Sequence, residues 1–318
     1  MSARPSIIAL AVALVSGPLL AQAEPIAAAR PRPGRPNVVE MIMEKGWRQT
    51  LDIAKYVTEA RPSPKGGYVG VLALEKPMGQ QALPALTLEI YDNEGRSVVD
   101  VPRAQRFAFS PDDKTVAVII GAPYEGGVGF KPEEVVLIAL RSRGRERARG
   151  LNDATKLAWL RRPDTGLSLF AEVNRPSQAI VRYDLRRNRV FPTKLLGLEC
   201  APDGKYYWLT PLESDRAGLC NPRERGERCL RAFTWNNEPI ELPQDRRIQR
   251  GLVWAAKSGH NMVFMTGSGK SREGAVVDLG TGEMKPISGR IDPTWTPRDG
   301  WLVMWTDQGP GRLRRLRK

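Results

Sequence analysis

One histidine, three cysteines and scattered serines and carboxylates are the groups in these 318 residues that could do nucleophilic, metal or phosphate chemistry. A serine hydrolase needs its nucleophile held beside a base. No complete G-x-S-x-G elbow occurs: GLSLF, from Gly166, fails at its last position and sits in a strand-like stretch. His260 lies in the turn sequence SGHN with no Ser or Cys placed beside it, so a side chain bonded to backbone is expected there. TGSGKS, Thr266 to Ser271, ends like a phosphate-binding loop, but Phe264 stands where its first Gly is required. The segment leads into a hairpin rather than a helix, and without a helix N-terminus the aligned N–H groups of an anion site are missing. One His and three Cys without C-x-x-C spacing do not make a structural zinc site. Asp112/Asp113 and Asp92/Glu94 lack the regular carboxylate spacing of a calcium loop. The sequence therefore predicts no catalytic residue, no cofactor and no metal.

The compartment and the charge narrow what remains. Arg4, the apolar run Ile7 to Val15, a Gly17-Pro18 break and the small-x-small Ala21-Gln22-Ala23 have the form of a signal peptide cleaved after Ala23. That run is too short to cross about 30 Å of hydrocarbon, and no other stretch approaches the roughly 20 apolar residues needed. A periplasmic or secreted product with no transmembrane segment is expected. Residues 24–318 carry 48 basic and 35 acidic side chains, a net +13. Such a balance favours acidic partners by long-range attraction. For an exported protein these are a protein or peptide, or an anionic envelope polymer, with no nucleic acid expected. In an oxidising compartment Cys220 and Cys229 are the disulfide candidate, since they would close the polar loop NPRERGER. Cys200 then reads as a buried small hydrophobe. Pairing of Cys200 with Cys220 is the alternative.

The elements that would carry any site are short. Residues 24–36, EPIAAARPRPGRP, read as a Pro/Arg-rich leader, extended, flexible and mobile. From Asn37 onward apolar runs of four to eight residues alternate with turn residues, which predicts an all-β domain over 37–318. One unit recurs within it. An apolar or aromatic residue precedes a Pro/Asp/Gly turn and then a run of β-branched or aromatic residues. FAFSPDDKTVAVII carries Phe109, Pro111 and Asp112; LECAPDGKYYWLT carries Pro202, Asp203 and Gly204; TWTPRDGWLVMWT carries Trp295, Pro297, Asp299 and Gly300. Looser copies are RPSPKGGYVGVLAL, AWLRRPDTGLSLFAEV with Trp159 and Asp164, and VWAAKSGHNMVFM with Trp254. Aligning Pro62, Phe109, Trp159, Cys200, Trp254 and Trp295 gives spacings of 47, 50, 41, 54 and 41 residues. Those match a four-stranded propeller blade of roughly 40–50 residues.

The turn chemistry explains the motif. Pro fixes φ, Asp bonds its own backbone, and Gly takes the left-handed position of a tight reversal. The preceding aromatic should lie in the inner strand and fill the wedge between adjacent blades. The stretches LTLEIYDNEGRSVVDV, AIVRYDLRRNRVFP and GAVVDLGTGEMKPI then supply third and fourth strands. The fold predicted is an all-β propeller of about six four-stranded blades, with seven possible. The last unit has sequence left for a third strand only, so a closing blade shared between N- and C-terminal strands is expected.

FSPDDK, CAPDGK and TWTPRDG resemble the SPDGK turns of TolB-like and WD-repeat-like exported propellers, and of the propeller domains of prolyl-oligopeptidase-type enzymes. The opening RQTLDIAKYVTEARPSPKGGYVGVL is similar to the propeller entry of the latter group, including peptidases that open lasso peptides. That resemblance implies a C-terminal α/β-hydrolase domain, for which the 318 residues leave no room. Two functions are therefore expected in competition. One is a monomeric, non-catalytic binding protein with a basic rim. The other is a stand-alone or truncated propeller acting with a separate hydrolase. The basic clusters RSRGRERARG and RLRRLRK are candidates for docking an acidic partner.

Overall fold

The computed structural model describes residues 24–76, 85–123, 130–162, 166–175, 177–195 and 198–200, and beyond these the course of ten strands between 206 and 315. Those residues are strands and turns, with no helix among them and hence none long and apolar enough to cross a membrane. They build seven antiparallel sheets in chain order.

Blade one has three strands, β1 (Ile26–Arg32), β2 (Arg35–Met43) and β3 (Arg48–Asp52). Blade two is β4 (Tyr56–Pro62), β5 (Tyr68–Leu74), β6 (Leu86–Asp92) and β7 (Ser97–Pro102). Blade three is β8 (Ala104–Phe109), β9 (Thr115–Pro123), β10 (Phe130–Ala139) and β11 (Arg145–Arg147). Blade four is β12 (Ala154–Arg162), β13 (Gly166–Arg175), β14 (Ser177–Asp184) and β15 (Arg189–Pro192). Blade five is β16 (Glu199–Cys200), β17 (Tyr206–Leu209), β18 (Arg231–Thr234) and β19 (Pro239–Ile240). Blade six is β20 (Leu252–Ala255), β21 (Asn261–Thr266), β22 (Glu273–Asp278) and β23 (Met284–Ile287). Blade seven is β24 (Asp292–Thr294), β25 (Trp301–Trp305) and β26 (Arg312–Arg315). Each sheet is a simple meander, every strand paired with its sequence neighbour.

The two-residue period of a strand explains why these sheets stand face to face. In β9, Val116 and Val118 join a core shared with Leu72, Leu88 and Ile90 of blade two. Their alternates Ala117 and Ile119 join a second core with Trp159, Leu169 and Ala171 of blade four. In β5, Val69, Val71 and Ala73 face Val39 and Met41 of blade one, whereas Leu72 faces blade three. A strand packed on both faces needs an uninterrupted apolar run, and YVGVLAL and TVAVII supply it. No blade could hide both faces alone, so adjacent blades stabilise one another.

Two features depart from the sequence reading. Residues 24–36 are not a mobile leader: β1 occupies Ile26–Arg32, and Ile26 through Ala29 are at most 2% exposed. The alanines let β1 lie close against β4, and Pro33-Gly34, with Gly34 at φ +74°, makes the reversal into β2 that a type II turn requires. The chain ends also close differently from a shared blade. Among the described residues β1–β3 pair only with one another, as do β24–β26, and the ends meet where β1 comes alongside β24.

A basic face at the hairpin end

At the end of the ring where first strands turn into second strands, blades two and three share one repeated turn. In blade three, Ser110 N–H donates to Thr115 O at 2.8 Å, Thr115 N–H donates to Ser110 Oγ at 3.0 Å, and Asp113 N–H donates to Ser110 O at 3.0 Å. Blade two repeats this bond for bond, with Ser63 on Tyr68 at 2.8 and 3.0 Å and Gly66 on Ser63 at 2.9 Å. The fourth turn residue takes positive φ in both, +73° at Gly66 and +58° at Asp113.

Asp113 uses that conformation to reach the neighbouring blade. Its carboxylate accepts Ser63 Oγ–H at 2.5 Å, Gly67 N–H at 3.1 Å and Lys65 N–H at 3.0 Å. Gly66 in turn presses on blade one: Ile26 N–H donates to Gly66 O at 2.8 Å, and a Cβ on Gly66 would lie 2.5 Å from Ile26 O. The turns of blades three and two and the start of β1 in blade one are thus clipped in series. Asp112 points into its own turn, accepting Ser110 Oγ–H at 2.6 Å and Lys114 N–H at 3.2 Å. Burial opposes its charge, but these bonds more than offset that and hold the carboxyl below its ordinary range.

The same turns line a cleft of about 1270 Å³, bounded by Pro25, Lys65, Arg96, Lys114, Arg141 and Ser142 among others. Its charges differ in their partners. Asp112 and Asp113 are committed to backbone N–H and hydroxyl groups, and Asp92 Oδ1 accepts the N–H groups of Glu94 and Arg96 at 3.0 and 2.9 Å. Arg96 is paired with Asp92 at 2.8 Å and Glu94 at 2.7 Å. Lys65 and Arg141 are exposed and form no ion pair among the described residues. Asp112 and Asp113 are held by the turns and exposed Glu94 is paired with Arg96, while Lys65, Lys114 and Arg141 are exposed, so the lining carries four cations against three carboxylates and is net positive.

Of the residues singled out by sequence, Phe109 ends β8, Pro111 and Asp112 lie in the following turn, and Trp159 lies in β12. Phe109 stacks edge-on against Phe107, centroids 5.5 Å apart at 83°, and both rings rest on Gly70 of the preceding blade. Trp159 is 7% exposed and donates its indole N–H to Ala108 O of blade three at 2.9 Å. Trp254 lies on β20 and Cys200 on β16. Asp164, Pro202, Asp203, Gly204, Cys220, Cys229, His260, Trp295, Pro297, Asp299 and Gly300 fall outside the described residues. Asp113 and Ser63 escaped the sequence reading as an inter-blade pair. The available signal was that Asp113 stands in FSPDDK where CAPDGK has Gly204.

A second charged cluster sits on blade two. Lys55 Nζ lies 2.9 Å from Glu89, 3.1 Å from Glu75 and 3.8 Å from Asp100, and Tyr91 OH donates to Glu89 at 2.6 Å. Partial burial works against the Lys55 ammonium, but Glu89, Glu75 and Asp100 outweigh it and hold its pKa above the ordinary value. Glu89 and Asp100 are cross-strand partners, so Lys55 neutralises a like-charge pair.

No family model matches the chain, and no curated protein matches its sequence. Solved structures do match it. TolB from Acinetobacter baumannii is 18% identical with a TM-score of 0.51; the match covers 86% of this chain and 65% of that one, so the chain spans less than two thirds of that TolB. The β-propeller domain of the Trilobed protease from Pyrococcus furiosus, which has an open velcro topology, gives 13% identity and a TM-score of 0.52 over 93% and 98% of the two chains. Acylaminoacyl peptidase from Pyrococcus horikoshii gives 12% and 0.52 over 93% of this chain and 52% of its own. The protein has the β-propeller fold, similar to TolB-like propellers and to the propeller domains of peptidases.

Proposed function

We propose that this protein is an exported, non-catalytic binding protein that holds an anionic ligand on the basic hairpin face of a single propeller domain. The observation that carries this reading is the sorting of charge in the cleft. Asp112 and Asp113 satisfy the turns and Glu94 is paired with Arg96, while Lys65 and Arg141 are exposed without ion-pair partners among the described residues. Loops on a rigid ring are a common place for recognition. The net +13 of residues 24–318 adds long-range attraction toward an acidic protein, peptide or envelope component. The N-terminal apolar run and small-x-small site support export to the periplasm or beyond, and the protein is expected to act as a monomer.

Titration with polyglutamate at low ionic strength tests the reading. The Lys65→Glu/Arg141→Glu double variant should bind at least about tenfold more weakly, and salt should weaken the parent in the same direction. Both residues are exposed, so the thermal midpoint should stay put. Absence of binding at low salt, or binding indifferent to both salt and charge reversal, removes the proposal.

A further inference from the structure

The hairpin end carries apolar groups as well as charge. Among the described residues two large hydrophobic side chains are exposed, Trp47 at 65% and Leu185 at 38%. Both stand in reversals at this end of the ring. Trp47 lies between Lys45 and Arg48 where β2 turns into β3, a turn bonded to the start of β1 through Glu44 N–H to Pro25 O at 2.8 Å. Pro25 itself borders the basic cleft. Leu185 lies beside Arg186 and Arg187 where β14 turns into β15. In that turn Asp184 accepts the backbone N–H groups of Arg186 and Arg187 at 3.0 and 3.1 Å. Lys45, Arg48, Arg186 and Arg187 are exposed and form no ion pair among the described residues.

We infer that the hairpin end docks on an anionic phospholipid surface, with Trp47 and Leu185 entering the headgroup region and the four flanking cations lying over lipid phosphates. This rests on the anion-binding reading and names its partner. A soluble polyanion would use the cations alone. An exposed apolar side chain next to two cations, repeated on blades one and four on either side of the basic cleft, matches a layer that is charged outside and apolar beneath. Tryptophan favours that interface because its ring is apolar and its N–H polar. Basic side chains near an anionic leaflet add attraction that decays within a Debye length.

The test is co-sedimentation of the purified protein with phosphatidylglycerol/phosphatidylcholine vesicles and with pure phosphatidylcholine vesicles, beside polyglutamate binding. The parent should bind the anionic vesicles only. Trp47→Ser/Leu185→Ser should bind them at least tenfold more weakly while keeping its polyglutamate affinity, and brominated acyl chains should quench the parent more than Trp47→Ser. Vesicle binding unchanged in the double variant, or no vesicle binding beside intact polyglutamate binding, overturns the lipid proposal and leaves the anion-binding reading standing. Binding to neither overturns both.

Discussion

Asp113 shows how one residue can hold two blades together. Its carboxylate gathers a hydroxyl and two N–H groups from the preceding blade, and it tolerates φ +58° because aspartate reaches the left-handed region more readily than most residues. Asp113→Gly keeps that backbone accessible and removes only the clip. The variant should unfold in urea with a stability lower by about 1–2 kcal/mol, the expected cost of unsatisfied donors offset by relief at positive φ. Asp112 makes a different prediction, one of pH. Its folded pKa is depressed, so its contribution exists above the unfolded value near about 3.9 and disappears as pH falls through the folded one. Asp112→Asn should therefore be less stable than the parent at pH 7, and the gap should shrink at acid pH; a gap independent of pH contradicts this. Lys55 has the opposite sign. Its raised pKa gives stability present at neutral pH and lost as pH climbs past the unfolded value of 10.5 and through the folded one. Lys55→Met leaves Glu89 and Asp100 facing one another, and thermal melts at pH 7 should show a loss of roughly 2 kcal/mol.

At the scale of the element, the seam between blades depends on what a strand leaves out. Gly70 of β5 gives room for two rings from β8: a Cβ there would lie 2.5 Å from Phe107 and 3.2 Å from Phe109. Gly70→Val should push both rings off their seat and destabilise by about 2 kcal/mol, seen as an earlier unfolding midpoint with unchanged slope. The aromatic half of this seam was legible in the sequence, because Phe109 and Trp159 each precede a Pro/Asp turn at blade spacing and the apolar runs after them have strand length. The glycine half was not, since a lone Gly in an apolar run says that something approaches closely but not what. The two turns of the basic face were equally hidden. Lys65 and Arg141 are unremarkable among 49 basic residues, and only the bonds of Asp112 and Asp113 set them apart.

At the scale of the whole molecule, the N-terminal segment is where composition misled. EPIAAARPRPGRP has the Pro/Arg content of a linker, yet a strand at the end of a sheet needs few side chains of its own when the neighbouring blade supplies the packing. Ala29 is fully buried in the core shared by Met41, Val57 and Val71, and β1 also runs beside β24. Ring closure therefore passes through β1. Ala29→Glu places a carboxylate in that core and should cost at least about 3 kcal/mol, whereas Arg35→Glu, at an exposed position on β2, should cost little. Amide hydrogen exchange locates the effect: protection should fall in β1, β2 and β4 and also in β24 and β25, because the blades at both ends of the chain lose their shared seam. Protection retained in β24 and β25 while blade one opens would mean that the last blade stands without the first, and that β1 stabilises its own side of the ring alone.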